Sequence, residues 1–157
     1  FPTRRSSDLI GEFGSAHFAE TLPADSIVAM CNIEMIGQVS MWGENSAWIT
    51  GYDITTFGAI LSDAAKGKGF SFHADPYTAE NLFYRSDNAS LARKGVPAHT
   101  ISATQIDKDK FYHSVDDEVE TLDVTNMKRV IRGIAAGMAP IVSGEKTPSR
   151  VPPDSLK

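Results

Sequence analysis

The chain has 157 residues, a formal net charge of -5 and 41% hydrophobic residues, which are the proportions of one globular domain. The sequence has no lysine and arginine cluster that would neutralise phosphates, so these values argue against nucleic acid as a partner. No apolar run approaches the roughly 20 residues that span a bilayer, and no membrane span is expected. Cys31 lies in an apolar stretch and is interpreted as a small core residue.

Strands and helices alternate in the first half of the sequence. A first helix carries His17, and the apolar run SIVAMCNIEMIG follows it. This run predicts a central strand that is buried on both faces, as in parallel sheets. The next segments predict a short strand (AWIT), a helix over 55–66 and an alternating strand over 69–74.

The second half continues this alternation. It predicts a short helix over 86–95 that ends at Gly95, and a buried strand over 96–102. A long helix follows over 123–144, with Asp123 or Thr125 as its cap. Its apolar residues recur at helical intervals: Met127, Val130, Ile131, Ile134 and Met138. The alternation predicts an α/β sheet covered by helices, and residues 144–157 have the Pro-rich composition of a tail.

Two residues are the main candidates for chemistry. Glu34 follows the apolar strand, where ligands bind in open α/β sheets and where a buried carboxylate needs a partner. The alternative for Glu34 is a structural pair with a backbone amide or an arginine. His113 lies in a polar loop beside Tyr112, Asp116 and Asp117, and a carboxylate commonly orients a metal-bound imidazole. The alternative for His113 is a surface histidine.

Other polar and aromatic residues are weaker candidates. Asp87 either caps the helix that follows it or orients a metal-bound histidine, and Arg85 pairs with a carboxylate of the protein or of a substrate. His17, His73 and His99 are given no ligand role. Three aromatic residues in turn-rich segments either pack or line a pocket for an apolar side chain: Tyr52, Phe83 and Tyr84.

Four segments together resemble the zinc aminopeptidases of metallopeptidase family twenty-eight. They are GEFGSAHFAE, IVAMCNIEMIG, YRSDNASLARKGVPAHTIS and FYHSVDDEVETLD. The resemblance extends over about 10–140 and implies a three-layer sandwich with a mostly parallel central sheet. It also implies that the chain is the C-terminal part of the catalytic domain, with 10–143 belonging to that domain.

The resemblance implies a role for each matching residue. Glu34 would be a zinc ligand where the family has an aspartate, His113 would bind the second zinc, and Tyr112 would stabilise the oxyanion. Asn88 stands where the family has a histidine. Asp87, Arg85 and Asp117 would support the metal ligands or the substrate.

The family has a Glu-Glu pair where this chain has Asp8 and Leu9. The stretch FPTRRSSDL, residues 1–9, is the translation of a sequencing-library adapter read in frame. We therefore expect residues 1–9 to be foreign to the natural protein. The family's other ligands and its general base would then be missing from this chain.

The resemblance implies an enzyme that hydrolyses N-terminal peptide bonds in peptide substrates, with two zinc ions that activate a water molecule. A catalytic zinc needs three protein ligands, so this chain alone is expected to bind zinc weakly and to be inactive. The family's habit implies an extracellular or periplasmic location for the intact protein. The strand edges left open are expected to make the chain poorly soluble.

Two other functions stay open. One is a zinc glutaminyl cyclase, which has a similar fold and one metal ion. The other is a non-catalytic binding or dimerisation module, such as the family's receptor-type relatives. The departures at Glu34 and Asn88 favour the module, whereas Tyr112 followed by His113 favours an enzyme.

Overall fold

The computed structural model describes residues 11–155, and the predictions for residues 1–9, including Asp8 and Leu9, lie outside this range. The helices and strands, numbered in chain order, are α1 (Phe13–Thr21), β1 (Met30–Ile33), β2 (Ser46–Ile49), α2 (Phe57–Ala65), β3 (Ser71–Ala74), α3 (Asn88–Ala92), β4 (Ala98–Ser102) and α4 (Val124–Val142). Short 3-10 turns connect several of them. Each predicted helix and strand is present, usually with narrower bounds than the sequence pattern indicated.

The strands form one mixed sheet in the order β1-β4-β2-β3. β1 is parallel to β4 and β2 is parallel to β3, whereas β2 and β4 are antiparallel, with Trp48 opposite Ser102. The prediction of a mostly parallel sheet is confirmed. The antiparallel pair has a geometric consequence: β1 and β4 run in one direction and β2 and β3 in the other, and Ile33 and Ile49 at the ends of β1 and β2 both pair with Ile101.

Two apolar clusters lie on opposite faces of the sheet. Ile101 belongs to the cluster beneath α2 and α4, with Leu61 and Ile134, whereas Ala98 belongs to the cluster that also contains Leu91 of α3. Residues 98 and 101 of one strand point to opposite faces, because side chains alternate along a strand. The sheet is therefore enclosed by helices on both faces, as the predicted three-layer arrangement requires.

Helix α4 is the longest element and is tightly packed. Asp123 caps it, because its carboxylate accepts a hydrogen bond of 2.8 Å from the backbone N–H of Asn126. A Cβ added at Gly133 would lie 2.4 Å from Cγ of Phe70, so the glycine permits a close approach. Ile131, which shares the predicted apolar pattern, is 50% exposed and faces away from the core.

The prediction that β1 is a central strand buried on both faces is wrong for the described residues. β1 lies at an edge of the sheet and pairs with β4 alone, and Ile33 at its end is 45% exposed. An apolar run indicates what a strand would bury, but it does not specify the neighbours on each side. β3 occupies the other edge.

The C-terminal segment packs against the domain. Ser149 and Thr56 exchange two hydrogen bonds, of 2.8 and 3.0 Å between the backbone N–H of each and the hydroxyl of the other. Val151 is 4% exposed and its N–H donates to the carbonyl of Gly95. The boundary predicted at residue 144 stays a prediction. None of the helices within residues 11–155 combines the length and apolar character needed to cross a membrane.

Candidate functional site

A cavity of about 560 Å³ opens where β1 ends, and we call it the Glu34 cavity. It is lined by Gly11, Glu12, Glu34, Met35, Arg85, Ser86, Asp87, Tyr112 and His113. It thus brings together every predicted site residue except Asp117. Asp117 lines an adjoining cavity of about 260 Å³, whose wall also contains Tyr112 and His113.

The carboxylate of Glu34 is held by hydroxyl and amide groups. Ser86 Oγ donates a hydrogen bond of 2.7 Å to Glu34 Oε2. Asn32 Nδ2 lies 2.8 Å from Ser86 Oγ, 3.0 Å from Thr100 Oγ1 and 3.5 Å from Glu34 Oε2. An amide has two hydrogens, so Ser86 and Thr100 receive the shorter bonds. Because Ser86 Oγ accepts from Asn32, its own hydrogen is directed to Glu34.

The electrostatic environment of Glu34 opposes its ionisation. Partial burial raises the pKa of Glu34 above its ordinary value although the side chain still reaches solvent, and the hydrogen bond from Ser86 and the nearby Asn32 amide act in the opposite direction. The nearby Asp87 raises the pKa further. A carboxylate in this environment would gain from a cation in the cavity.

The turn after Glu34 is fixed by the backbone of Met35. Its carbonyl accepts hydrogen bonds from the N–H groups of Ala103 and Thr104, at 3.2 and 3.0 Å, and from Thr104 Oγ1 at 2.7 Å. Ser102 Oγ also donates to it at 3.1 Å. These bonds attach the end of β1 to the end of β4 and set the position of Glu34.

Left-handed backbone conformations concentrate at this cavity. The non-glycine residues with positive φ in the described range are Glu12, Met35, Asn45, Asn81 and His113. Asparagine and histidine adopt this conformation more often than other residues, whereas it is unfavourable for glutamate and methionine. The three residues other than asparagine all line the Glu34 cavity. Such strain is typical of functional sites.

Tyr112 and His113 stack on each other at the mouth of the cavity. Their ring centroids are 3.9 Å apart with an interplanar angle of 18°, and Tyr112 is 45% exposed. Within residues 11–155, His113 makes no hydrogen bond with Asp116 or Asp117, the carboxylates expected to orient it. The imidazole is therefore exposed and available to a ligand.

The other two predicted residues, Arg85 and Asp87, lie on either side of Ser86 in the motif YRSDN. Arg85 forms an exposed ion pair with Glu80, with 3.2 Å between Nη1 and Oε2. Asp87 stands at the N-cap position of α3, as one alternative predicted, but its side chain makes no capping hydrogen bond. Its carboxylate lines the cavity instead.

Asn88 is turned away from the site. It is fully buried, and its Nδ2 donates to the carbonyls of Phe83 at 2.9 Å and Ala98 at 3.2 Å. Its Oδ1 accepts from Thr100 Oγ1 at 2.9 Å. Asn88 therefore supports β4 from the interior and is not part of the cavity wall.

The remaining histidines have structural positions. His99 is fully buried between the carbonyl of Thr50, 2.9 Å from Nδ1, and Thr55 Oγ1, 2.7 Å from Nε2, as expected for a core histidine. Burial lowers its pKa to about 4. His73 stacks on Trp42 with 4.2 Å between ring centroids, and His17 lies on α1.

The described residues do not by themselves fit a catalytic zinc site. Among residues 11–155, no group of three His, Cys, Asp or Glu side chains is arranged to hold a metal ion. A catalytic zinc takes three protein ligands and one open position. Glu34 and His113 line one cavity, but two side chains do not complete such a site.

Four residues that shape the site had no predicted role: Ser86, Asn32, Met35 and Glu12. Ser86 and Asn32 lie in the segments that resemble the family. Asn32 is close in sequence to the candidate carboxylate Glu34, and Ser86 to the candidate Asp87, so the sequence did carry a signal for both. Met35 gave no such signal, because a left-handed methionine is recognised only in the folded chain. Glu12 also lines the cavity.

Comparisons with known proteins agree with this architecture. The family described as Peptidase family M28 matches residues 10–138. An aminopeptidase from Aneurinibacillus sp. strain AM-1 has a similar structure, with a TM-score of 0.59 and 17% sequence identity over 94% of this chain and 32% of that chain. The chain thus spans about a third of that protein's length. A comparison with curated proteins gave no match. Since the family match covers most of the chain, the chain belongs to peptidase family M28.

Proposed function

We propose that the complete protein is a zinc-dependent aminopeptidase, and that this chain supplies one wall of its active site. The main observation that supports this proposal is that Glu34, Tyr112 and His113 line one cavity together with Asp87. Membership of a peptidase family supports hydrolysis of peptide bonds. The similarity to a known aminopeptidase supports the fold in which that chemistry would occur.

The roles follow from the positions of the side chains. Glu34 and His113 would each contribute a zinc ligand, and the further ligands and the general base would come from residues outside 11–155. Ser86 would orient the Glu34 carboxylate, since it donates to Oε2 and leaves Oε1 for another partner. Tyr112 would donate a hydrogen bond to the developing oxyanion from the cavity mouth.

The strained backbone supports this proposal independently of the family. Met35 and His113 adopt left-handed conformations on either side of the cavity. Each such residue costs about 1–3 kcal/mol and persists where the surroundings hold it in place. This cost is easier to explain if the turns present ligands than if they only connect elements.

A smaller cavity of about 110 Å³ adjoins the Glu34 cavity and shares Glu34, Met35, Arg85 and Tyr112 with it. Trp48, Leu82 and Ile106 form its apolar wall. We propose that the side chain of the substrate's N-terminal residue enters here, with the Arg85–Glu80 ion pair near its entrance. The location outside the cell, extracellular or periplasmic, is proposed from the family's habit alone.

Two proteins should be compared to test this function. The first is this 157-residue chain, which is expected to bind zinc weakly and to be inactive. The second is the protein expressed from the complete coding sequence, which is expected to release N-terminal residues from peptides and to lose this activity with a chelator. Turnover that persists after all metal is removed would contradict the proposal.

The alternative of a non-catalytic module makes the opposite prediction. It requires the complete protein to contain no zinc and to show no turnover. One of its arguments is weakened, because Asn88 is buried away from the cavity. The other argument is the glutamate at position 34 where the family has an aspartate, and this residue does line the cavity.

A further inference from the structure

A second cavity, of about 520 Å³, lies where β2 and β3 end, and we call it the β2–β3 cavity. The carboxyl ends of β1 and β2 are level, since Ile33 and Ile49 both pair with Ile101, but the chain leaves β2 in the direction opposite to that in which it leaves β1 at Glu34. The cavity shares no lining residue with the Glu34 cavity. Leu82 also lines the cavity of about 110 Å³, so these two cavities meet at that side chain, but they share no charged residue.

Three aromatic side chains form much of the wall: Tyr52, Phe83 and Tyr84. Hydrogen bonds fix the positions of the two tyrosines. Tyr52 Oη is 2.7 Å from Ser62 Oγ, and the hydroxyl of Tyr84 donates to the carbonyl of Ser155. Because both hydroxyls are engaged, the rings offer mainly their faces and edges to a ligand.

Gly51 allows this wall to close. Its φ is 59°, and a Cβ at this position would lie 2.4 Å from Cδ2 of Phe83. Phe83 is 5% exposed and packs edge-on against Tyr84, with ring centroids 4.9 Å apart. The aromatic wall is thus preorganised by the core behind it.

The charged residues of the cavity are all acidic. Asp53 and Asp75 line it, and its wall contains no lysine, arginine or histidine from the described residues. Asp75 Oδ1 accepts a hydrogen bond of 2.7 Å from the N–H of Tyr77, and Oδ2 accepts none from residues 11–155. Burial raises the pKa of Asp75, which means that its negative charge is incompletely solvated.

We propose that the β2–β3 cavity binds an organic cation that carries apolar substituents, such as an alkylated ammonium group. Aromatic faces attract cations through their quadrupole, and a partly desolvated carboxylate supplies the opposite charge. One such contact already exists in the protein, since the guanidinium carbon of Arg93 lies 5.7 Å from the ring centroid of Tyr84. Arg93 itself is not part of the cavity wall.

The test compares choline with 3,3-dimethylbutan-1-ol, a neutral molecule of the same shape, by saturation-transfer NMR of their methyl protons on the 157-residue chain. Choline is expected to bind at least tenfold more tightly than the alcohol and to weaken as salt is added. Equal binding of the two molecules, or no binding of choline, would overturn the proposal.

Two variants identify the site. Asp75→Asn should weaken choline binding at least fivefold, and Asp63→Asn, a matched change on the outer surface of α2, should leave it unchanged. If Asp75→Asn does not fold, a second variant is available. Thr78→Lys places a cation on the exposed rim of the cavity, so it should abolish choline binding while the chain stays folded. Unchanged choline binding in folded Asp75→Asn or in folded Thr78→Lys would refute this site.

Discussion

Ser86 Oγ donates a 2.7 Å hydrogen bond to Oε2 of Glu34, which lies 52 positions away in the sequence. This bond links the end of β1 to the turn that precedes α3. It stabilises the ionised form of a carboxylate whose pKa is raised by burial and by Asp87. The negative charge of Glu34 in this cavity is therefore maintained at a cost to the folding stability of the chain.

Replacing Glu34 by Gln should stabilise the metal-free chain at pH 7. The pKa of Glu34 in the folded state lies above its ordinary value of 4.5. Between pH 4.5 and this raised pKa, the folded state therefore binds more protons than the unfolded state. Stability is then lost as the pH rises through this window, and the glutamine variant escapes the loss. The gain is measured as a rise in the melting temperature of the variant relative to the parent.

Thermal melts at pH 7 and at pH 4 measure this effect. The gain should be absent at pH 4, where both states bind the proton, and Glu20→Gln on the exposed side of α1 should change neither melt. A glutamine variant that is less stable than the parent at pH 7 would contradict this account of Glu34.

Ser86→Ala should have the opposite effect on stability. The substitution removes the donor to Glu34 and leaves Asn32 Nδ2 without one of its two near acceptors. The free energy of unfolding is expected to fall by about 1–3 kcal/mol. Urea denaturation checks this value. The double variant Ser86→Ala with Glu34→Gln should recover part of the loss, and strictly additive effects would argue against coupling.

His99 should make the domain sensitive to mild acid. Its pKa is lowered from 6.5 to about 4 by burial, so the unfolded state binds more protons between these values. Stability is expected to fall by roughly 3 kcal/mol as the pH decreases from 6.5 to 4. Urea denaturation at several pH values should show a shallower decline in His99→Gln, and an unchanged decline would contradict the assignment.

The tautomer of His99 follows from the same contacts. Phe57 N–H donates to Thr55 Oγ1 at 3.1 Å, which leaves the Thr55 hydroxyl hydrogen for Nε2. Nδ1 must then carry the proton that the Thr50 carbonyl accepts. Nitrogen-15 chemical shifts of the imidazole should report a protonated Nδ1 at pH 7.

Gly133→Ala should destabilise α4 although alanine favours helices. A Cβ at this position would lie 2.4 Å from Phe70 Cγ, whereas the gain in helix propensity is about 1 kcal/mol. The overpacking is expected to cost about 1–3 kcal/mol net. Chemical denaturation measures this cost, and Phe70→Leu in the same chain should relieve it. A more stable single variant would show that the ring moves aside freely.

Cys31 should react slowly with thiol reagents in the folded chain. Burial raises its pKa to about 12, so almost no thiolate is present at pH 8. Labelling with a disulfide reagent is expected to be at least about a hundredfold slower than in urea. Rapid labelling of the native chain would show that β1 opens readily at its edge.

Local patterns in the sequence were sufficient for most of the fold. The apolar spacing of α4, the cap at Asp123 and the buried run of β4 all have local physical causes, and each prediction is confirmed. The edge position of β1 was not accessible in this way, because strand order depends on pairing across long separations. Ile131 was placed on the buried face for a similar reason, since spacing alone does not define where that face ends.

The candidate site was likewise predictable from the sequence only in part. Residue type and motif were enough to select Glu34, Tyr112 and His113, and the structure places them on one cavity, while their roles as ligands stay predictions. The donation from Ser86 and the left-handed turn at Met35 depend on the folded backbone. The inward orientation of Asn88 likewise follows from contacts with β4 that no local motif encodes.

The most direct test of the central claim is to measure zinc content and aminopeptidase turnover of the protein expressed from its complete coding sequence, with Glu34→Ala, His113→Ala and the surface control His17→Ala. The account predicts bound zinc and turnover in the parent and the control, and loss of zinc and at least a hundredfold loss of turnover in the other two variants. If both variants retain the parent's zinc and turnover, Glu34 and His113 have only structural roles and the proposed active site is refuted.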